Sequence, residues 1–172
     1  MLIGLSGASR AGKDSVAHIL VKDYGFEQVA LASAIRKILL DLDPMLNDEQ
    51  SLVNVFQRCD GDWDRVKAEA PGSVEWMISL GQSCRDNIGE DVWLRAALNN
   101  YDPSKNMVIS DCRQVNEVQW IRDHGGMLWK IFRPRLEQFR GMDNLLDDVE
   151  FDAVLINDGS LEHLESLVER QM

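Results

Sequence analysis

The chain opens Met1-Leu2-Ile3-Gly4-Leu5-Ser6-Gly7, an apolar run that stops at a glycine. After four intervening residues comes Gly12-Lys13, and beyond it Val16, Ile19, Leu20 and Tyr24 recur at helical spacing until Gly25. The apolar run reads as a buried strand, the spaced residues as one helix face, and Gly25 as its C-terminal stop. A strand joined to a helix by a loop of the form G-x-x-x-x-G-K confines the chain to few folds. In that context the loop's backbone N–H groups can wrap a phosphate. The helix adds its partial positive end, and Lys13 brings a point charge. Asp14 stands where the pattern asks for a hydroxyl, and Ser15, one residue on, can offer one. Asp14 also suits the first turn of a helix on electrostatic grounds, so both readings of it stand.

Further along, Gln28–Ala32 reads as a second strand, and Ala34–Leu42 as a helix with Ile35, Ile38, Leu39 and Leu42 on one face. Residues 43–72 carry Pro44, Pro71 and the acidic Asp60-Gly61-Asp62-Trp63-Asp64. They read as short helices and turns, an irregular insertion. Ser73 is placed to cap a helix bearing Val74, Met77, Ile78 and Leu80. Gly81 and Gly89 are expected to bracket a break, with a helix resuming over Glu90–Tyr101. Asn106–Asp111 reads as the third strand, Val115–His124 as a helix, Met127–Phe132 as the fourth strand and Ala153–Ile156 as the fifth. A last helix presents Leu161, Leu164 and Val168 inward. Apolar strands alternating with helices predict an α/β fold with a five-stranded parallel sheet flanked by helices in three layers. Ligands of such sheets bind beyond the carboxyl ends of the strands. Those ends carry Ser6-Gly7, Ala32-Ser33, Ser110 to Arg113, Arg133-Pro134 and Asn157-Asp158.

Composition narrows the partners. At 172 residues the chain is expected to form one domain over 1–172. A net charge of -11 argues against a nucleic-acid surface, though not against a small anionic ligand. Twelve arginines against six lysines favour bidentate recognition of phosphate. No apolar run approaches the roughly 20 residues of a membrane span, and no secretory signal is visible. The three cysteines, Cys59, Cys84 and Cys112, form neither a disulfide framework nor a zinc pattern and read as small buried hydrophobes. A reducing cytoplasm is the expected location.

Five segments together resemble the bacteriophage-type deoxynucleoside monophosphate kinases, which have an adenylate-kinase-like P-loop fold. They are Ser6–Ser15; Leu80-Gly81 through Trp93-Leu94; Ile109–Glu117; Phe132-Arg133-Pro134; and Ile156–Leu161. Residues 43–72 stand outside the resemblance and would be a helical insertion on the acceptor side. The resemblance implies ATP as donor, Mg2+, and a (deoxy)nucleoside monophosphate as acceptor, in a host cytoplasm if the origin is phage. It implies Lys13, Arg133 and Asp111 as catalytic residues. Gly7, Arg10, Gly12, Lys13, Asp14, Ser15 and Asn157 would bind ATP. Arg10, Arg36, Gly81, Arg85, Arg113 and Glu117 would serve the acceptor; Glu117, one helical turn from Arg113, would contact either that arginine or the acceptor's sugar or base. Mg2+ would lie near Ser15, Asp14 and Asp111, in part through water. Between Arg133 and Phe151 a short lid would carry Arg135 and Arg140. Trp93 is either a base-stacking surface or a core tryptophan, and Asn157 either a donor-base ligand or a turn asparagine. Arg135 and Arg140 are either lid ligands or solvated surface.

Two other readings share these residues. One is a small-molecule kinase of the same fold, of the dephospho-coenzyme A or phosphomevalonate type. The other is a module that binds ATP without turning it over. Small-molecule nucleotides are the expected partners in each, and a homodimer is left open.

Overall fold

The computed structural model describes residues 1–134, 145, 146 and 148–172. The expected lid arginines, Arg135 and Arg140, lie outside the described residues. By their contacts the described residues divide into two compact units, Met1–Leu31 with Leu98–Met172, and Ala32–Ala97.

The first unit is built on a parallel sheet of five strands: β1 (Leu2–Ser6), β2 (Glu27–Val29), β3 (Met107–Ile109), β4 (Met127–Phe132) and β5 (Ala153–Ile156), in the order β2-β3-β1-β4-β5. β1 is central and buried along its whole length. Strand alternation sends its residues to two layers. Ile3 and Leu5 join a core with Val16, Ile19 and Leu20 of α1 (Lys13–Tyr24) and Leu164 and Val168 of α8 (Leu161–Glu169). Gly4 faces the other way, beneath Ile121 of α7 (Val115–Asp123). β5 is an edge strand with Ala153 and Leu155 inward and Val154 and Ile156 exposed.

Strand two is shorter than its sequence suggests. It ends at Val29, because Leu31 N donates to Asp111 Oδ1 at 2.7 Å and the chain enters α2 at Ala32. β3 likewise spans Met107–Ile109 rather than Asn106–Asp111.

The second unit is helical: α2 (Ala32–Leu42), α3 (Leu52–Arg58), α4 (Trp63–Glu69), α5 (Gly72–Ile88), and most of α6 (Val92–Leu98). Residues 43–72 thus hold two ordered helices, each opened by a side-chain cap. Ser51 Oγ accepts from Asn54 N, and Asp62 Oδ1 accepts from Asp64 N and Arg65 N. The break expected at Gly81 does not occur. α5 runs through it because Gly81 is buried and a side chain there would press on Ile35, so packing overrides glycine's poor helix propensity. Ser73 does not cap α5 either; it lies inside the first turn, fully buried. Leu39, Leu52, Val55, Val66 and Trp93 form the core of this unit. No described helix is long and apolar enough to cross a membrane.

Candidate functional site

All strands of the sheet run one way, so their carboxyl ends meet at one edge. The loop from Gly7 to Gly12 leaves β1 at that edge and enters α1 at Lys13. Gly7 adopts φ +138, and a Cβ there would collide with the backbone carbonyl oxygen of Ile131 in β4. The loop therefore lies against the neighbouring strand as only glycine permits. Arg10 has φ +63 and is exposed.

Lys13 is 7% exposed, and its Nζ donates to Gly7 O at 2.7 Å and Ala8 O at 2.8 Å. The ammonium is folded back along the loop, so its charge stands within the ring of backbone it belongs to. Asp14 and Ser15 follow in the first turn of α1, both exposed. A carboxylate and a hydroxyl are thereby offered to solvent beside the loop. Among the described residues no group of three or more His, Cys, Asp or Glu converges as a metal cage.

Three further sequence-predicted residues share the same edge. Asp111 follows β3, half-buried, with one oxygen on Leu31 N. Arg113 is half-buried just beyond it, and Arg133 is exposed directly after β4. Asn157 follows β5, and its place differs from a ligand's. It is 7% exposed, its Nδ2 donates to Ala11 O at 2.8 Å, and the amide lies against Gly12. Asn157 braces the loop from β5 instead of presenting its amide to a base. Asn157→Ala is expected to cost about 1–3 kcal/mol in urea unfolding, because Ala11 O loses its buried donor. Unchanged unfolding would remove the bracing role.

Glu117 and Trp93 take the structural one of the two readings open to each. Glu117 is 4% exposed, and its Oε2 accepts from Arg113 N at 2.7 Å and Gln114 N at 3.0 Å. It satisfies N–H groups that α7 would otherwise leave open, and so fixes the backbone that carries Arg113. The Gln114-x-x-Glu117 spacing before an apolar helix was the available signal. Trp93 is 3% exposed in the helical unit, and its indole Nε1 donates to Gly81 O at 3.0 Å. Trp93 is buried in the core of this unit, which leaves it no exposed stacking surface, and Gly81 is buried beside Ile35. Arg85 lies half-buried in the same unit. Arg36 is half-buried too, with its Nε enclosed and without a hydrogen-bond partner, and its Cζ stands 5.7 Å from the ring centroid of Trp63.

Cys112, between Asp111 and Arg113, is 1% exposed. Burial pushes its thiol well up, with Glu117 and Asp111 adding to the effect. It stays a neutral thiol packed under the site and is no nucleophile.

A parallel sheet in this order, with a glycine loop from its central strand into a helix and a lysine folded along that loop, defines an α/β fold of the P-loop type. No family model matches the chain. It is 29% identical over 187 residues, covering 98% of this chain and 94% of the other, to a protein of Acanthamoeba polyphaga mimivirus described as a putative deoxynucleotide monophosphate kinase. Among solved structures it is similar to shikimate kinase from Aquifex aeolicus, at TM-score 0.46 and 16% identity over 99% of this chain and 93% of that one. A sugar kinase from Janibacter sp. HTCC2649 is similar at TM-score 0.41 and 16% identity, over 99% and 91% of the two chains. Likeness at these scores adds nothing to what the strand order and loop already say.

Proposed function

We propose that the chain transfers the terminal phosphoryl group of ATP to the phosphate of a (deoxy)nucleoside monophosphate. The observation that carries this reading is the buried Lys13 in its strand–loop–helix setting, with Asp111, Arg113 and Arg133 at the same sheet edge. The mimivirus relative, alike along nearly the whole chain, supports the choice of acceptor. Both compact units belong to one kinase domain in this reading.

The chemistry asked of the protein is positioning and charge stabilisation. An oxygen of the acceptor phosphate bonds to the γ-phosphorus as the bond to the β–γ bridging oxygen breaks, and ADP leaves. The loop's N–H groups and Lys13 hold the donor phosphates, with Arg10 beside them. Mg2+, when bound with ATP, would offset charge on the phosphate oxygens, and Ser15, Asp14 and Asp111 would hold it or its waters. Arg36, Arg85 and Arg113 are the arginines that the resemblance assigns to the acceptor. Arg133 neutralises charge on the transferring group.

The test is ADP production with ATP and Mg2+ against each deoxy- and ribonucleoside monophosphate, with shikimate and dephospho-coenzyme A as contrasting acceptors. Turnover of a nucleoside monophosphate and of neither contrast is the expected result. ATP binding without turnover of any acceptor would leave a non-catalytic module in its place. Within that assay, Arg36→Lys and Arg113→Lys keep charge but lose the planar fork. Each is expected to raise the acceptor KM about tenfold or more, with the ATP KM little changed. Arg133→Lys is expected to lower kcat instead. If the first two variants lose ATP affinity, the acceptor has been placed on the wrong residues.

A further inference from the structure

Residues 43–72, which the family resemblance leaves uncovered, carry the aromatic partner of Arg36. Asp62 caps α4 and so fixes the direction in which Trp63, its first residue, leaves the backbone. Phe56 of α3 packs against the indole in a tilted pair, ring centroids 5.2 Å apart at an interplanar angle of 50°. The Arg36 guanidinium of α2 stands over the Trp63 ring at 5.7 Å, inside the roughly 6 Å at which a cation is attracted to an aromatic face.

This arginine is held differently from its neighbours. Lys37 pairs with Asp41, Arg58 with Glu69, and Arg65 with Asp60. No carboxylate among the described residues pairs with Arg36, and its enclosed Nε has no acceptor. Leaving a charged N–H enclosed and unmet is destabilising, so packing alone would favour an uncharged side chain here. A carboxylate partner would fix the fork but would also neutralise it and occupy its donors. An aromatic face attracts the guanidinium through its quadrupole and accepts no conventional hydrogen bond, so it orients the cation while leaving the fork for an anion.

We infer that Trp63 is a positioning residue for Arg36, holding its guanidinium ready for the acceptor's phosphate. This rests on the acceptor role given to Arg36 above. The test is a double-mutant cycle. Trp63→Leu, Trp63→Phe, Arg36→Met and the Arg36→Met/Trp63→Leu pair are assayed for kcat, ATP KM and acceptor KM, with dAMP, dCMP, dGMP and dTMP as acceptors. Thermal midpoints are measured in parallel. Trp63→Leu is expected to raise the acceptor KM about fivefold with kcat and ATP KM nearly unchanged, and Trp63→Phe about twofold, since a phenyl face is the weaker site for a cation. In the Arg36→Met background, Trp63→Leu is expected to change the acceptor KM less than twofold. An equal effect in both backgrounds, or none in the wild type, overturns the inference. Should Trp63→Leu fail to fold, Trp63→Phe carries the same cycle. If Arg36→Met itself leaves the acceptor KM unmoved, the acceptor role of Arg36 fails first, and this inference falls with it. If no deoxy- or ribonucleoside monophosphate is turned over, the proposed function itself fails.

Discussion

Lys13→Ala is expected to lower kcat by about 10²-fold or more at saturating substrates, the scale of a lost transition-state contact. Its Nζ sits 2.7 Å and 2.8 Å from two carbonyls of its own loop. Those bonds hold the charge within the loop before any substrate arrives. Alanine removes that charge where it matters most, in the transition state. The structural cost is smaller. Gly7 O and Ala8 O lose a donor, but the strand before them and the helix after them keep their own hydrogen bonds. Circular dichroism and the thermal midpoint should therefore stay near the wild-type values while turnover collapses. A folded Lys13→Ala protein with near-normal turnover would falsify the assignment of Lys13 as the donor-phosphate cation.

The loop was legible because several independent signals coincide there. The apolar β1, the glycine spacing, and the α1 face ending at Gly25 were each readable alone, and β4, β5 and α8 were read by the same periodicity and capping rules. What the sequence hid is tertiary. Trp93 and Gly81 lie twelve positions apart, and nothing local says that the indole of one donates to the carbonyl of the other. That bond turns an ambiguous tryptophan into core and lets α5 pass through a glycine that reads as a break. Asn157 is a similar case. It is 146 residues from Ala11, and only the closing of β5 onto the sheet brings its amide to the loop. Glu117 was legible in part, since contact with Arg113 was one of its two readings and its spacing from Gln114 resembles a capping box. In residues 43–72 the capping residues Ser51 and Asp62 were available, but neither α3 nor α4 has a long enough apolar period to stand out at seven residues. The arginine held by Trp63 is invisible to any local rule, because its partner comes from a different helix.

Gly7→Ala is expected to be the most damaging single methyl in the chain. Two penalties meet at this position. The backbone sits at φ +138, a region that L side chains rarely adopt. In addition, the new Cβ would meet the carbonyl oxygen of Ile131, a backbone atom of β4. A flexible side chain could swing away, but β4 is hydrogen-bonded between β1 and β5 and cannot retreat without loosening both neighbours. Strained backbone of this kind costs on the order of 1–3 kcal/mol, and overpacking against a fixed partner about as much again. The expected loss in urea unfolding is therefore about 3 kcal/mol or more, with the loop displaced and ATP binding weakened beyond what stability alone explains. Gly25→Ala supplies the internal control. Gly25 also has positive φ, at +69, but nothing lies within 4 Å of a Cβ built there. It should lose only the conformational part, about 1–2 kcal/mol, and keep its ATP affinity. If the two variants lose equal stability, the contact with Ile131 is not what fixes the loop to the sheet.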